Sequence, residues 1–158
     1  MKKGALLFLL VGVSLLAAVS NGQATGASAL AATLSSAPAW SSAGSEVGGE
    51  YAYAVALDGD YDNDGYSDLL LGAPRNSGLL DREGLVEVYY GKPQGLSDSP
   101  DQILMGEEKS SSFGAAVACA GDVNGDGFDD ALIGAHRYGD GDDAPDAGAV
   151  YLYYGSED

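Results

Sequence analysis

One long internal repeat restricts the fold of this chain more than any other feature. Pro38 matches Pro100, Gly44 matches Gly106, Tyr51 matches Phe113 and Asp60 matches Asp122, all at a spacing of 62. Gly72-Ala73 matches Gly134-Ala135 at the same spacing, while Gly91 matches Gly155 at 64, because the stretch 134–148 is two residues longer than 72–84. A period above about 40 residues marks propeller blades and other arrays, where each unit buries its apolar face against a neighbour. Inside each unit the pattern is that of strands. Tyr51, Tyr53, Val55 and Leu57 alternate with Ala52, Ala54 and Ala56, and Phe113, Ala115, Val117 and Cys119 alternate with Gly114, Ala116, Ala118 and Ala120. Period two with one face of small residues predicts a strand pressed closely against another layer. A short apolar strand follows (69–71 and 131–133), then a third (86–90 and 150–154), and 102–105 offers a fourth.

Four short antiparallel strands per unit make a blade, so the expected class is all-β with about two propeller blades. The first occupies 38–99 and includes a preceding outer strand around Trp40; the second occupies 100–158 and stops after three strands. Two blades cannot close a ring, and stacked repeats need about three neighbours for stability. The chain is therefore expected to be the front part of a longer propeller rather than a protomer of a two-blade oligomer.

Between the first and second strands of each unit lies an acidic loop. Asp60, Asp62, Asp64 and Asp68 hold loop positions 1, 3, 5 and 9 of the first; Asp122, Asn124, Asp126 and Asp130 hold them in the second. Gly65 or Gly127 stands at position 6, an aromatic (Tyr66 or Phe128) at position 7, and Asn63 or Gly125 at position 4. Alternate oxygen-bearing residues around a glycine turn can wrap a hard cation, with the Tyr66 and Phe128 carbonyls as further ligands. Both loops are read as Ca²⁺ sites, with the aromatic rings packing inward to fix them. An EF-hand loop would need a carboxylate at position 12 and a following helix. Position 12 is Leu71 or Ile133, in a β-like run, and that reading fails on its own ligand.

At the N-terminus, Met1-Lys2-Lys3 precedes an uncharged, mostly apolar run over 4–19, short of a membrane span and followed by small-residue cleavage options. This is the layout of a secretory signal peptide over 1–24, with an Ala/Ser/Gly-rich spacer at 25–37. An exported protein without membrane insertion is expected, extracellular or periplasmic. The net charge is −17, or −19 once Lys2 and Lys3 are removed, which argues against nucleic acid and anionic membranes. Cys119 is the only cysteine, so no intrachain disulfide forms, and it reads as a small buried hydrophobe.

Together these residues resemble the FG-GAP repeats of integrin α-subunit-type propellers. Phe113-Gly114 supplies the "FG", Gly72-Ala73-Pro74 the "GAP", and 84–91 and 148–155 look like the closing strand of the repeat. The resemblance covers about 38–155, with Tyr51-Ala52 and Ala135-His136 departing from the two named motifs. It implies a propeller of about seven blades, Ca²⁺ held between the first and second strands of a blade, and partners on the opposite rim.

Catalysis finds little support. His136, the only histidine, reads as a loop surface residue, and no nucleophile elbow or zinc-protease motif is present. Asp140, Asp142, Asp143 and Asp146 read as a solvated acidic loop, with a second cation or a basic partner as the alternative. The tyrosine pairs 89–90 and 153–154 read as strand packing rather than sugar stacking. The expected function is a non-enzymatic binding or adhesion module for an extracellular protein or glycan, with structural Ca²⁺. The alternative is a propeller within a longer exported enzyme such as a hydrolase.

Overall fold

The computed structural model describes residues 34–139 and 147–157, together with the backbone of the short strands β1 (Leu9–Leu10) and β2 (Val13–Ser14). The signal-peptide and most of the spacer expectations, and the acidic residues Asp140 to Asp146, lie outside the described residues. Two compact units are present, Met1–Ala37 and Pro38–Asp158. In the first, β1 pairs antiparallel with β2. The second contains two antiparallel meanders and no helix among the described residues.

Blade 1 is a four-stranded sheet in sequence order: β3 (Ala54–Gly59), β4 (Asp68–Ala73), β5 (Leu85–Tyr89) and β6 (Gln102–Met105). Blade 2 has three strands in the same order: β7 (Phe113–Gly121), β8 (Asp130–Ala135) and β9 (Ala149–Tyr153). The acidic loops are the β3–β4 and β7–β8 connections, as the resemblance implies. These are propeller blades, and the short strands with polar turns explain why the meander forms: each strand needs only its sequence neighbour.

Residues of one parity in blade 1 face blade 2. Leu70, Val86 and Val88 are buried against Phe113, Ala131 and Ile133, with Val117, Tyr151 and Tyr153 packed around them. Phe113 sets its ring edge-on to Tyr151 and Tyr153 of its own blade. The opposite face of blade 1 holds Leu69, Leu71 and Tyr89 beneath Trp40, Tyr51 and Leu96.

Two expectations change. The segment around Trp40 is not a strand; Trp40 lies edge-on to Tyr89, and its indole N–H donates to the Ser97 carbonyl at 2.9 Å. It covers the Leu69, Leu71 and Tyr89 face of the blade, where its ring packs half-buried, and does not extend either edge of the sheet. The first strand of blade 1 begins at Ala54 instead of Tyr51, since Ala52 adopts a φ of 57°, which breaks the extended run. Cys119 is half-buried against the core, and its sulfur accepts the Gly121 N–H.

Candidate metal centre

Each acidic loop is first of all a backbone scaffold. Asp60 accepts the N–H of Asp64 on one oxygen and that of Gly65 on the other, both at 3.0 Å. Asp62 and Asp64 accept the N–H groups two residues on, at Asp64 and Tyr66. In the second loop Asp122 accepts from Gly125, Asp126 and Gly127. Those three donors, Gly127 first, hold the Asp122 carboxyl below the usual carboxylate range. Asn124 and Asp126 bond to each other, and Asp126 also receives the Phe128 N–H. The left-handed backbone expected at positions 4 and 6 is present: φ is 56° and 79° at Asn63 and Gly125, and 89° and 99° at Gly65 and Gly127. Asx-type bonds of this kind curl each loop tightly around its first aspartate.

Position 9 differs from the rest. Asp68 and Asp130 are fully buried at 0% exposure. Asp68 accepts the Tyr61 N–H and the Gly91 N–H, each at 2.7 Å. Asp130 repeats this with Val123 and Gly155, at 2.9 and 3.0 Å. Each thus ties its loop to the turn after the third strand, a latch that the sequence pattern alone presents only as a ligand. Burial pushes the Asp68 carboxyl from 3.8 up to about 6; the two N–H donors oppose this, and the charges of Asp62 and Asp60 add to it.

Asp60, Asp62 and Asp68 each bring an oxygen to within 4.8 Å of the others, and they are the one such acidic trio among the described residues. Asp64 turns to Tyr66, and the second loop, with an asparagine at position 3, brings Asp122, Asp126 and Asp130 around the same kind of turn without forming such a trio. An all-oxygen set whose buried member is destabilised by its own neighbours fits a hard divalent cation, which would offset that repulsion. The aromatic rings do not pack inward as expected. Tyr66 is exposed and Phe128 half-buried, lying over Gly91 and Gly155, where a Cβ would come within 2.8 Å of theirs.

Asp129 went unnoticed in the sequence. Its carboxylate accepts the Asp60 N–H at 3.0 Å, and its own N–H donates to the Asp60 carbonyl at 3.1 Å, so the two loops are fastened to each other. The one signal was an acid at position 8, where the first loop has Ser67.

Two packed antiparallel meanders, of four and three strands, each with an aspartate-rich loop between its first two strands, define a class of repeat. Residues 60–133 match the family model of the FG-GAP-like repeat, and the chain belongs with the FG-GAP repeats of integrin α type. It is 36% identical to integrin alpha-3 of Mus musculus over 115 residues, covering 72% of this chain and 10% of that protein. It is 38% identical to integrin alpha-4 of Xenopus laevis over 116 residues (73% and 11%), and 36% identical to integrin alpha-V of Gallus gallus over 96 residues (58% and 9%). The chain therefore spans about a tenth of the length of these curated relatives.

Proposed function

We propose that this chain is a calcium-stabilised part of an exported binding or adhesion propeller, without catalytic activity of its own. The observation that carries the cation is the convergence of Asp60, Asp62 and Asp68 around a buried carboxylate. The first site would use Asp60, Asp62, Asp64 and Asp68 with the Tyr66 carbonyl. The second would use Asp122, Asn124, Asp126 and Asp130 with the Phe128 carbonyl. Bound there, Ca²⁺ supplies charge neutralisation and no chemistry. The chain's own part is to hold the hairpin so that the loop costs little order on binding. Affinity on the order of 10⁻⁴–10⁻³ M, usual for extracellular modules, suffices where calcium is abundant.

An extracellular protein or glycan is the partner class that the integrin relationship supports, and export follows the basic-then-apolar N-terminus. Thermal unfolding with millimolar Ca²⁺ and with a chelator tests the cation. The melting temperature rises by several degrees with Ca²⁺; identical curves would sink the proposal.

A further inference from the structure

At the end of the strands away from the acidic loops, the seam between the blades opens into a small cleft of about 140 Å³. Its walls come from the residues entering β3 and β7 and from those leaving β4 and β8, with Glu50, Tyr53, Arg75, Ser112, His136 and Arg137 among them. The chain has seven Lys and Arg residues against 24 Asp and Glu, and a single histidine. Two of those seven cations and that histidine line this one cleft. The two arginines are repeat equivalents, 62 residues apart, and their backbones are pinned alike. Arg75 donates its N–H to the Gly49 carbonyl at 3.2 Å, and Arg137 donates to the Ser111 carbonyl at 3.1 Å. His136 is the residue by which the second unit departs from the GAP motif, and it stands where blade 1 has the buried Pro74. The repeat breaks at one further position. Glu50 and Ser112 are equivalents, both in the left-handed region at φ 56° and 57°. In blade 1 that position supplies a carboxylate, which pairs with Arg75 at 2.8 Å. In blade 2 it supplies a hydroxyl, so the counter-charge that the first unit carries at this place has no equivalent in the second.

We propose that this cleft binds one carboxylate side chain, aspartate or glutamate, of a protein partner, and that Arg137 and His136 are the residues that recognise it. A guanidinium presents a planar fork of N–H donors that a carboxylate matches with two parallel bonds. The His136 imidazole and the Ser112 hydroxyl, in the same cleft, are further donors of the kind a carboxylate accepts. The volume is well below the roughly 300–1,000 Å³ of small-molecule pockets, so the cleft takes the end of a side chain and not a sugar ring or a nucleotide. A chain of net charge −17 repels acidic surfaces at long range, so the partner presents its single carboxylate from an otherwise neutral or basic surface. Glu50 acts against binding, because it competes for Arg75 and repels the incoming charge. This inference rests on the reading of the chain as a binding module and names the chemistry of its partner; it draws nothing from calcium.

The probe is N-acetyl-aspartate N-methylamide, which carries one side-chain carboxylate, with the matching asparagine compound as its neutral twin. It is titrated into the isotope-labelled full chain, with and without Ca²⁺, and binding is read by NMR at the imidazole of His136, the only histidine signal. Saturable movement of that signal is expected for the aspartyl probe and none for the asparaginyl one. Arg137→Gln should weaken binding about tenfold or more. Glu50→Gln should strengthen it by about two- to fivefold, and these opposite signs cannot both come from unfolding. Arg82→Gln, which removes the same charge from the β4–β5 connection outside the cleft, should leave binding unchanged. No saturable movement, equal movement with the asparaginyl probe, or equal losses in Arg82→Gln and Arg137→Gln overturns the proposal. Tighter binding of inorganic sulfate than of the aspartyl probe overturns the carboxylate assignment. A flat titration sinks this partner chemistry alone, since the calcium-dependent melt reports on the other end of the blades.

Discussion

Two buried carboxylates in blade 1 show how differently one chemical group can be used. Glu83 is enclosed at the inter-blade seam, where one oxygen accepts the N–H groups of Gly78 and Leu80 at 2.8 and 3.0 Å. Burial opposes its ionisation, but the N–H donors of Leu80, Glu83, Gly78 and Leu79 win and hold it below its ordinary 4.5. A depressed carboxylate stabilises the fold above that ordinary value and loses the contribution as pH falls through the depressed one. Glu83→Gln should therefore destabilise the chain by about 1–3 kcal/mol at pH 7, with the gap to the parent shrinking in acid, as urea melts at several pH values would show. Asp68 is tuned the other way, toward the proton, because its burial outweighs its two N–H donors and the charges of Asp62 and Asp60 add to that. Asp68→Asn keeps the shape but replaces one acceptor by an N–H donor facing either Tyr61 or Gly91. A loss of about 1.5–3 kcal/mol is expected in chelator, before any cation binds; an unchanged melt would show that the latch contributes nothing.

At the scale of strands, the blade seam depends on backbone approaching backbone. The FG step of β7 crosses the GAP end of β4 so closely that neither Gly72 nor Gly114 has room for a methyl group. Gly72→Ala should cost about 1–3 kcal/mol by forcing the two strands apart, although alanine is ordinarily welcome in a strand more than glycine is. Phe113→Ala removes the ring wedged against Tyr151 and Tyr153 and should cost about 3–5 kcal/mol. If both variants melt like the parent, the two blades do not pack through this seam in solution. The strand order was legible from period-two alternation and from the fourth strand at 102–105, which forms at those bounds. The start of β3 was not, because alternation cannot register a single left-handed residue such as Ala52.

For the molecule as a whole, the consequence of the seam is that the loops are not independent. Asp129 of the second loop clamps the backbone of Asp60, the first residue of the other loop, and Ser156 donates its N–H to the Tyr61 carbonyl. Asp129→Ala should weaken Ca²⁺ binding at the proposed first site although Asp129 is not among its proposed ligands. Calorimetric titration would then show weaker overall binding than the parent; unaltered isotherms would mean that the clamp is immaterial.

The sequence by itself determined the repeat, the all-β blades, the place of the acidic loops and their left-handed turns, because these follow from local spacing and from which residues tolerate positive φ. Only the tertiary structure decided what the ninth loop residue does, since Gly91 and Gly155, the groups that Asp68 and Asp130 hold, lie more than twenty residues further along the chain. It alone decided, too, that Trp40 covers a blade face, that Asp129 joins the loops, and that Val86 is sealed while Val150 is open. Two valines in equivalent strands have the same local pattern. What separates them is whether another blade lies on top.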